Sequence, residues 1–133
     1  ARINSGSTIV GAVQSRQEIL IWTDSSLHSM RFVGSPFIFQ FSTLSTDISM
    51  ISPNAAVNAR GVVYFMDKGN FYTYNGSVQP LQCSVLDYVF SNLNVGQAFK
   101  VFAAENNAHS EVTWFYPIIF ITTKLVMMTM DLQ

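Results

Sequence analysis

Two segments of the chain share one order of apolar and polar positions. EILIWTDSSLHSMRFVG (18–34) and RGVVYFMDKGNFYTYNG (60–76) each hold an apolar run with an aromatic residue, an Asp, a polar turn, an alternating run and a Gly. Alternation over four to eight residues is typical of half-buried β-strands. Asp and Ser favour turns because their side chains bond nearby backbone groups. We therefore predict two β-hairpins, with Asp24 and Asp67 at equivalent turn positions.

The rest of the chain reads mostly as short strands separated by turn residues. Further strands are predicted near residues 8–10, 37–41, 48–51, 78–81, 99–103 and 111–116. The turn at 67–70 is expected to use positive φ angles, which Gly and Asn tolerate. One short helix is predicted at 85–93, with Ser84 as its cap and apolar residues at helical spacing. The pattern as a whole predicts an all-β chain of antiparallel hairpins.

The spacing of the hairpins favours propeller-like blades. They recur after ~43 residues, close to the roughly 40–45 residues of one four-stranded blade. At most three blades fit in 133 residues, whereas closed propellers typically have about four to eight. We expect residues 1–133 to form a single β-rich domain or a fragment of a larger propeller. Trp22, Phe65 and Trp114 would occupy equivalent inner-strand positions, where aromatic rings fill the space between neighbouring sheets.

Charge is scarce along the chain. Charged residues make up 11% of it, while 49% is hydrophobic and 14% aromatic; an average domain is roughly 25% charged. The net charge is −1 and the basic residues are scattered, so we expect no specific nucleic-acid partner. No apolar stretch is long enough for a membrane span, so no membrane partner is expected. Protein–protein interfaces are also depleted in Lys and Glu, so part of the surface of this chain is expected to face other protein. A low-charge domain whose surface is solvated by Ser, Thr and Asn explains the composition equally.

The chain shows no pattern of residues that predicts a reaction centre. Cys83 is single, which excludes an intrachain disulfide and a Cys-based zinc site, and it is interpreted as a small filler before the helix. His28 is expected on the solvated face of its hairpin and His109 in a loop. Glu105 and Glu111 are interpreted as a solvated pair across a third turn. Neither G-x-S-x-G nor a phosphate-cradling glycine motif occurs, so no enzyme activity, cofactor, metal or small-molecule substrate is expected.

Several segments together resemble a family of bacteriophage virion structural proteins. These are ILIWTD (19–24), SPFIFQF (35–41), PNAAV (53–57), VYFM and FYTYNG (63–66 and 71–76), and EVTWFYP (111–117). The likeness covers residues 9–117 and is specific as a combination. It implies a propeller-like component of the tail or head–tail junction, assembled in the bacterial cytoplasm and acting through contacts with copies of itself or other virion proteins. The structural or interface candidates are Trp22, Asp24, Phe65, Asp67, Trp114 and Tyr116.

The chain departs from that family at three places. Ser35 stands where the family has Pro, and Phe65 stands where it has Trp. The likeness ends after Pro117, and the atypical tail IIFITTKLVMMTMDLQ (118–133) holds three of the six Met residues of the chain. We expect this tail to differ from the family's own continuation, as after a reading-frame change or a truncation.

Two other functions fit parts of the sequence. A carbohydrate- or protein-binding module would expose aromatic residues side by side in a groove, namely Trp22, Tyr72, Tyr74, Trp114 and Tyr116. A scaffold would instead bury these rings between sheets. A hydrolase would use His28 or Cys83 and would need a pocket with convergent polar groups.

Overall fold

The chain folds into three antiparallel β-sheets. The computed structural model describes residues 8–36, 38–81, 86–106, 108, 111–118 and 121–131, with the backbone alone for 86, 92, 118 and 121–131. The first sheet contains β1 (Ile9–Gln14), β2 (Glu18–Thr23), β3 (Leu27–Phe32) and β4 (Phe39–Ser45), and the second contains β5 (Ala56–Ala59), β6 (Val62–Met66), β7 (Phe71–Tyr74) and β8 (Val78–Pro80). The third contains β9 (Phe102–Asn106), β10 (Glu111–Ile118) and β11 (Ile121–Asp131), with β10 in the middle. The all-β prediction is confirmed.

The three predicted hairpins are present. In β2–β3, Glu18 lies opposite Arg31 and Trp22 opposite Leu27. In β6–β7, Val63 lies opposite Tyr74, and β9 pairs with β10 in the third hairpin. The alternation of apolar residues therefore located these strands correctly, because each hairpin places one face against the core.

Other predicted boundaries need correction. The predicted helix is confirmed as α1 (Leu86–Asn92), but a 3₁₀ helix that was not predicted follows at Val95–Lys100 and delays the next strand. Residues 48–51 form no strand. The β1 strand is longer than the predicted 8–10, and β4 begins later than residue 37. In the 48–51 segment, Met50 is buried although it lies in a loop, so the apolar residues there did not indicate a strand.

The prediction of positive φ angles in the 67–70 turn was wrong. That turn is closed by the Asp67 amide, which donates to the Asn70 carbonyl at 2.9 Å. Positive φ occurs instead at Arg60 (55°) and Gly61 (82°), the two residues between β5 and β6. Positive φ at both central positions is what a two-residue type I′ turn requires, because its twist matches that of the flanking strands.

The core lies between adjacent sheets. The ring of Trp22 meets that of Phe65 edge-on, with centroids 5.1 Å apart, and so joins the first sheet to the second. The centroids of Phe71 and Trp114 are 4.8 Å apart and join the second sheet to the third. The first strands of the sheets also adjoin: β5 contacts both β1 and β9. The described strands do not close into a barrel or a ring.

The backbone of the atypical tail extends the third sheet. Residues 121–131 pair antiparallel with β10, from Glu111 opposite Asp131 to Pro117 opposite Leu125. The strand β11 therefore adds a long edge to this sheet. The origin of the tail stays a prediction.

Candidate functional site

The aromatic residues singled out by the sequence are buried. Trp22, Phe65 and Trp114 are each 0% exposed, and Tyr116 is buried as well. The Trp114 indole N–H donates to the Ala55 carbonyl at 2.9 Å. The Trp22 indole N–H has no acceptor among the residues that the structure describes. These rings fill the spaces between sheets and leave no face open to solvent.

Asp24 and Asp67 lie in corresponding turns, but the prediction of equivalent positions was wrong by one residue, because Thr23 closes the first turn whereas Asp67 closes the second. The Asp24 amide donates to the Thr8 carbonyl at 2.9 Å, and the turn is closed by the Thr23 amide and the Ser26 carbonyl at 2.8 Å. The Asp67 carboxylate accepts from the Ser49 amide at 3.4 Å. Burial raises the pKa of Asp67, although backbone hydrogen bonds oppose the shift. Both Asp residues therefore take part in the turns that end β2 and β6.

The expectation that His28 faces solvent was wrong. His28 is 3% exposed, and its Nε2 lies 2.9 Å from the Ser26 hydroxyl. Its Nδ1 lies 3.2 Å from the hydroxyl of Thr43, which β4 places directly opposite. An imidazole ring whose two nitrogens both have hydrogen-bond partners can be buried at a small cost in free energy. Burial also lowers the pKa of His28, because desolvation disfavours the charged form.

Among the described residues, the His28 of the hydrolase alternative belongs to no open catalytic group. Ser26 and His28 are in hydrogen-bonding distance, but both are buried, so a substrate has no access to the hydroxyl. Cys83 and His109 lie outside the described residues. Glu105 lies opposite Val112 while Glu111 lies opposite Asn106, so the two carboxylates are not direct cross-strand partners.

A polar cleft lies where three turns from the first two sheets come together. These turns are residues 15–17, 60–61 and 75–76, and Glu18 and Arg31 also line the cleft, which has a volume of about 510 Å³. We call it the turn cleft. The turns meet because each of them ends a strand that runs toward the same end of the two sheets.

Glu18 is the centre of a hydrogen-bonded cluster in the turn cleft. Its Oε2 accepts from the Ser29 hydroxyl and its Oε1 accepts from the Tyr74 hydroxyl. The Arg31 guanidinium lies 3.6 Å from Oε2. Because Glu18 belongs to β2 and Tyr74 to β7, this cluster connects the first sheet to the second by polar contacts.

The cluster shifts the pKa values of its members in opposite directions. Burial alone would raise the pKa of Glu18, but the hydrogen bonds from Ser29 and Tyr74 and the charge of Arg31 lower it below its ordinary value. Burial, together with the neighbouring carboxylate, raises the pKa of Tyr74 to about 12. At neutral pH the site therefore holds an ionised Glu18 and a protonated Tyr74.

Sequence reasoning missed this cluster. The Glu18–Arg31 pair could have been found, because the turn at 24–26 sets the register in which these residues face each other. Tyr74 lies 56 residues from Glu18 along the chain and on another sheet. No local pattern predicts a contact of that kind.

A second surface feature lies on the open edge of the first sheet. The exposed apolar residues Phe32, Val33, Ile38 and Phe39 flank the β3–β4 connection, and we call them the edge patch. The Phe32 and Phe39 rings pair edge-on, with centroids 5.9 Å apart. The strand β4 is the outermost strand of its sheet and carries no charged residue. Natural edge strands usually carry charges or bulges that discourage pairing with other chains; the register shift of β4 lies near its end, at Leu44, and residues 39–43 pair regularly with β3.

The chain matches no known protein-family model and no curated protein. In the part of the chain that the structure describes, no helix has the length and apolar character to cross a membrane. Nor do three or more His, Cys, Asp or Glu side chains come together as a metal site among those residues.

Proposed function

We propose that this chain is a rigid β-scaffold component of a bacteriophage virion, in the tail or at the head–tail junction. It carries out no reaction and acts through contacts with copies of itself or with other virion proteins. The observation that carries the proposal is the burial of Trp22 and Trp114 between sheets. Rings packed in this way hold β layers at a fixed separation, as a building part requires.

The arrangement of the sheets supports propeller-like blades within this scaffold. The strand β5 lies against both β1 and β9, so the first strand of each sheet adjoins the first strand of the next. The parallel bridge between Asn54 and Phe102, with the Ala103 amide donating to the Asn54 carbonyl at 2.8 Å, joins two of these first strands. Blades packed around a common axis make such contacts, and three of them would form part of a larger ring.

The edge patch supports a role in assembly. Phe32 is 67% exposed and Phe39 is 51% exposed. Their rings lie beside the unpaired backbone of β4. An open edge without charges can pair with another strand, and apolar side chains beside it add buried area to the contact. We therefore assign the β4 edge as the surface for self-association.

The bacteriophage part of the proposal is supported by the sequence likeness described above. The segments that carry it, such as 19–24 and 111–117, form the central strands β2 and β10. The genomic neighbourhood tests this part directly. Portal, terminase or tail genes beside the coding sequence would support it, and a metabolic operon would count against it.

The carbohydrate-binding alternative has less support. Of the five aromatic residues on which it relies, only Tyr72 is not buried. Stacking on a sugar requires an exposed ring face. We therefore retain the scaffold as the function that the geometry supports best.

Light scattering on the purified chain tests self-association. We expect the wild type to be larger than a monomer at high concentration, and Phe39→Lys to weaken association at least ~10-fold, because a charge would replace half-buried apolar area at the contact. Val95→Lys is the matched control, since Val95 is 76% exposed on the 3₁₀ helix and outside the edge patch. A monomeric wild type, or equal effects of both substitutions, would contradict the assignment.

A further inference from the structure

The lining of the turn cleft carries more positive than negative charge. Its charged lining consists of Arg16, Arg31 and Glu18. Both carboxylate oxygens of Glu18 are already occupied, one by the Tyr74 hydroxyl and the other by the Ser29 hydroxyl. Two guanidinium groups face one engaged carboxylate, which leaves one uncompensated positive charge.

Arg16 is the group in the cleft that is available to a ligand. No carboxylate among the described residues pairs with it. Its side chain lies against Gly61: a Cβ at that position would be 2.8 Å from the Arg16 Nη2. The missing Cβ therefore allows the guanidinium to rest on the β5–β6 turn, at the wall of the cleft, and Arg16 as a residue is exposed.

We propose that the turn cleft binds the carboxylate of an acidic side chain on a protein partner. A guanidinium presents parallel N–H donors that match the two oxygens of a carboxylate. One negative charge balances the surplus of the cleft. A phosphate group, with roughly −1.5 to −2 charges, would bring excess negative charge next to Glu18.

The shape and lining of the cleft favour a side chain projecting from a protein over a free small molecule. Val62 is the one apolar side chain in its lining. Small-molecule sites are mostly apolar, with a few polar groups that fix orientation. A side chain delivered by a partner needs only the polar contact, because the surrounding interface supplies the apolar burial.

The inference rests on the proposed function for the identity of the partner, since it names the chemistry by which another virion protein would dock. The edge patch and the turn cleft are neighbours, because Phe32 and Phe39 line a smaller pocket together with Arg16 and Glu18. The two proposals can still fail separately, because light scattering measures self-association and the titration measures binding of a carboxylate. The titration below is run on the wild type, at a protein concentration at which light scattering shows a single species, so that no charge is introduced beside the cleft.

A peptide titration followed by amide chemical shifts tests the inference. The probes are the blocked tripeptide Gly-Glu-Gly and its neutral counterpart Gly-Gln-Gly. We expect saturable shifts at Gly61 and Gly76, which line the cleft, with the Glu peptide only and a millimolar Kd. Arg16→Gln should weaken binding roughly 10-fold, the effect of removing one charge-assisted interaction. Lys68→Gln makes the same charge change in the 67–70 turn, outside the cleft lining, and should leave the Kd unchanged.

Several outcomes would overturn the inference. Equal amide chemical-shift changes with the Gln peptide, or an unchanged Kd in Arg16→Gln, would show that the cleft does not recognise the carboxylate. Equal weakening by Lys68→Gln would show diffuse charge attraction alone. Binding of inorganic phosphate that is tighter than that of the Glu peptide would overturn the assignment of a carboxylate. Binding of galacturonate that is tighter than that of the Glu peptide would show that the cleft is specific for an acidic sugar and not for a protein partner.

Discussion

The two buried tryptophans should respond very differently to the same substitution. Both side chains are 0% exposed, so Trp→Phe removes a comparable volume at each position. The indole N–H of Trp114 donates to the Ala55 carbonyl, whereas that of Trp22 has no acceptor among the described residues. Trp114→Phe therefore removes a hydrogen bond, while Trp22→Phe removes a buried donor without a partner.

The difference between the two variants follows from these contacts. A net hydrogen bond contributes about 0.5–1.5 kcal/mol, and an unpartnered buried donor costs about 1–3 kcal/mol. The Ala55 carbonyl keeps the Met66 amide at 3.2 Å after Trp114→Phe, so it adds no large penalty of its own. We expect Trp22→Phe to have a free energy of unfolding higher than that of Trp114→Phe by about 2 kcal/mol or more.

Urea denaturation followed by far-ultraviolet circular dichroism measures this difference, since that signal does not depend on tryptophan. With a slope near ~2 kcal/mol/M, the two midpoints should differ by about 1 M or more. All variants should be compared at one protein concentration, because association shifts apparent stability. If Trp22→Phe unfolds at the same urea concentration as Trp114→Phe, or at a lower one, the explanation from the different hydrogen bonding of the two indole N–H groups is wrong.

Two further predictions concern the turn cleft. The pKa of Glu18 is lowered on folding, so the contribution of Glu18 to stability is present above its ordinary pKa of 4.5 and is lost as the pH falls below that value. In thermal melts between roughly pH 3 and 7, the melting temperature of Glu18→Gln should therefore depend less on pH than that of the wild type. Parallel curves of melting temperature against pH would contradict this prediction. Gly61→Ala should destabilise the protein by about 1–2 kcal/mol or more, because Gly61 has positive φ and the added Cβ would displace the Arg16 guanidinium. Gly34→Ala has the same sign of φ with nothing within 4 Å of the added Cβ, and Gly69→Ala has neither feature, so an equal loss in Gly34→Ala and Gly69→Ala would refute the explanation from φ.

The sequence was most informative where one strand and its turn decide the structure. Alternating residues located β2, β3, β6 and β7, and Trp22 on β2 and Phe65 on β6 were correctly expected between sheets. Their burial follows from the local pattern, because a large ring on the inner face of a hairpin has no other place to pack. The repeat also predicted that Asp24 and Asp67 lie in corresponding turns, but their positions differ by one residue, because Thr23 closes the first turn and Asp67 closes the second.

The features that were missed depend on contacts between distant segments. His28 is buried because β4 returns to place Thr43 opposite it, and the hairpin alone does not contain that strand. The contact of Glu18 with Tyr74 spans two sheets. Positive φ occurs at Arg60 and Gly61 because β5 pairs with β6 through two residues. The β5 strand was not recognised in the sequence, so that turn was not recognised either.

The segment between the first two sheets has a mechanical consequence. The Ser49 hydroxyl donates to the Thr23 carbonyl at 2.6 Å, and its amide donates to Asp67. At the other end of the same sheets, Tyr74 donates to Glu18. A torque on one sheet therefore strains the hydrogen bonds at both ends of the two sheets at the same time. The aromatic rings packed between these ends lie near the axis of such a rotation. The first two sheets should therefore turn together as one body, with little change in the angle between them.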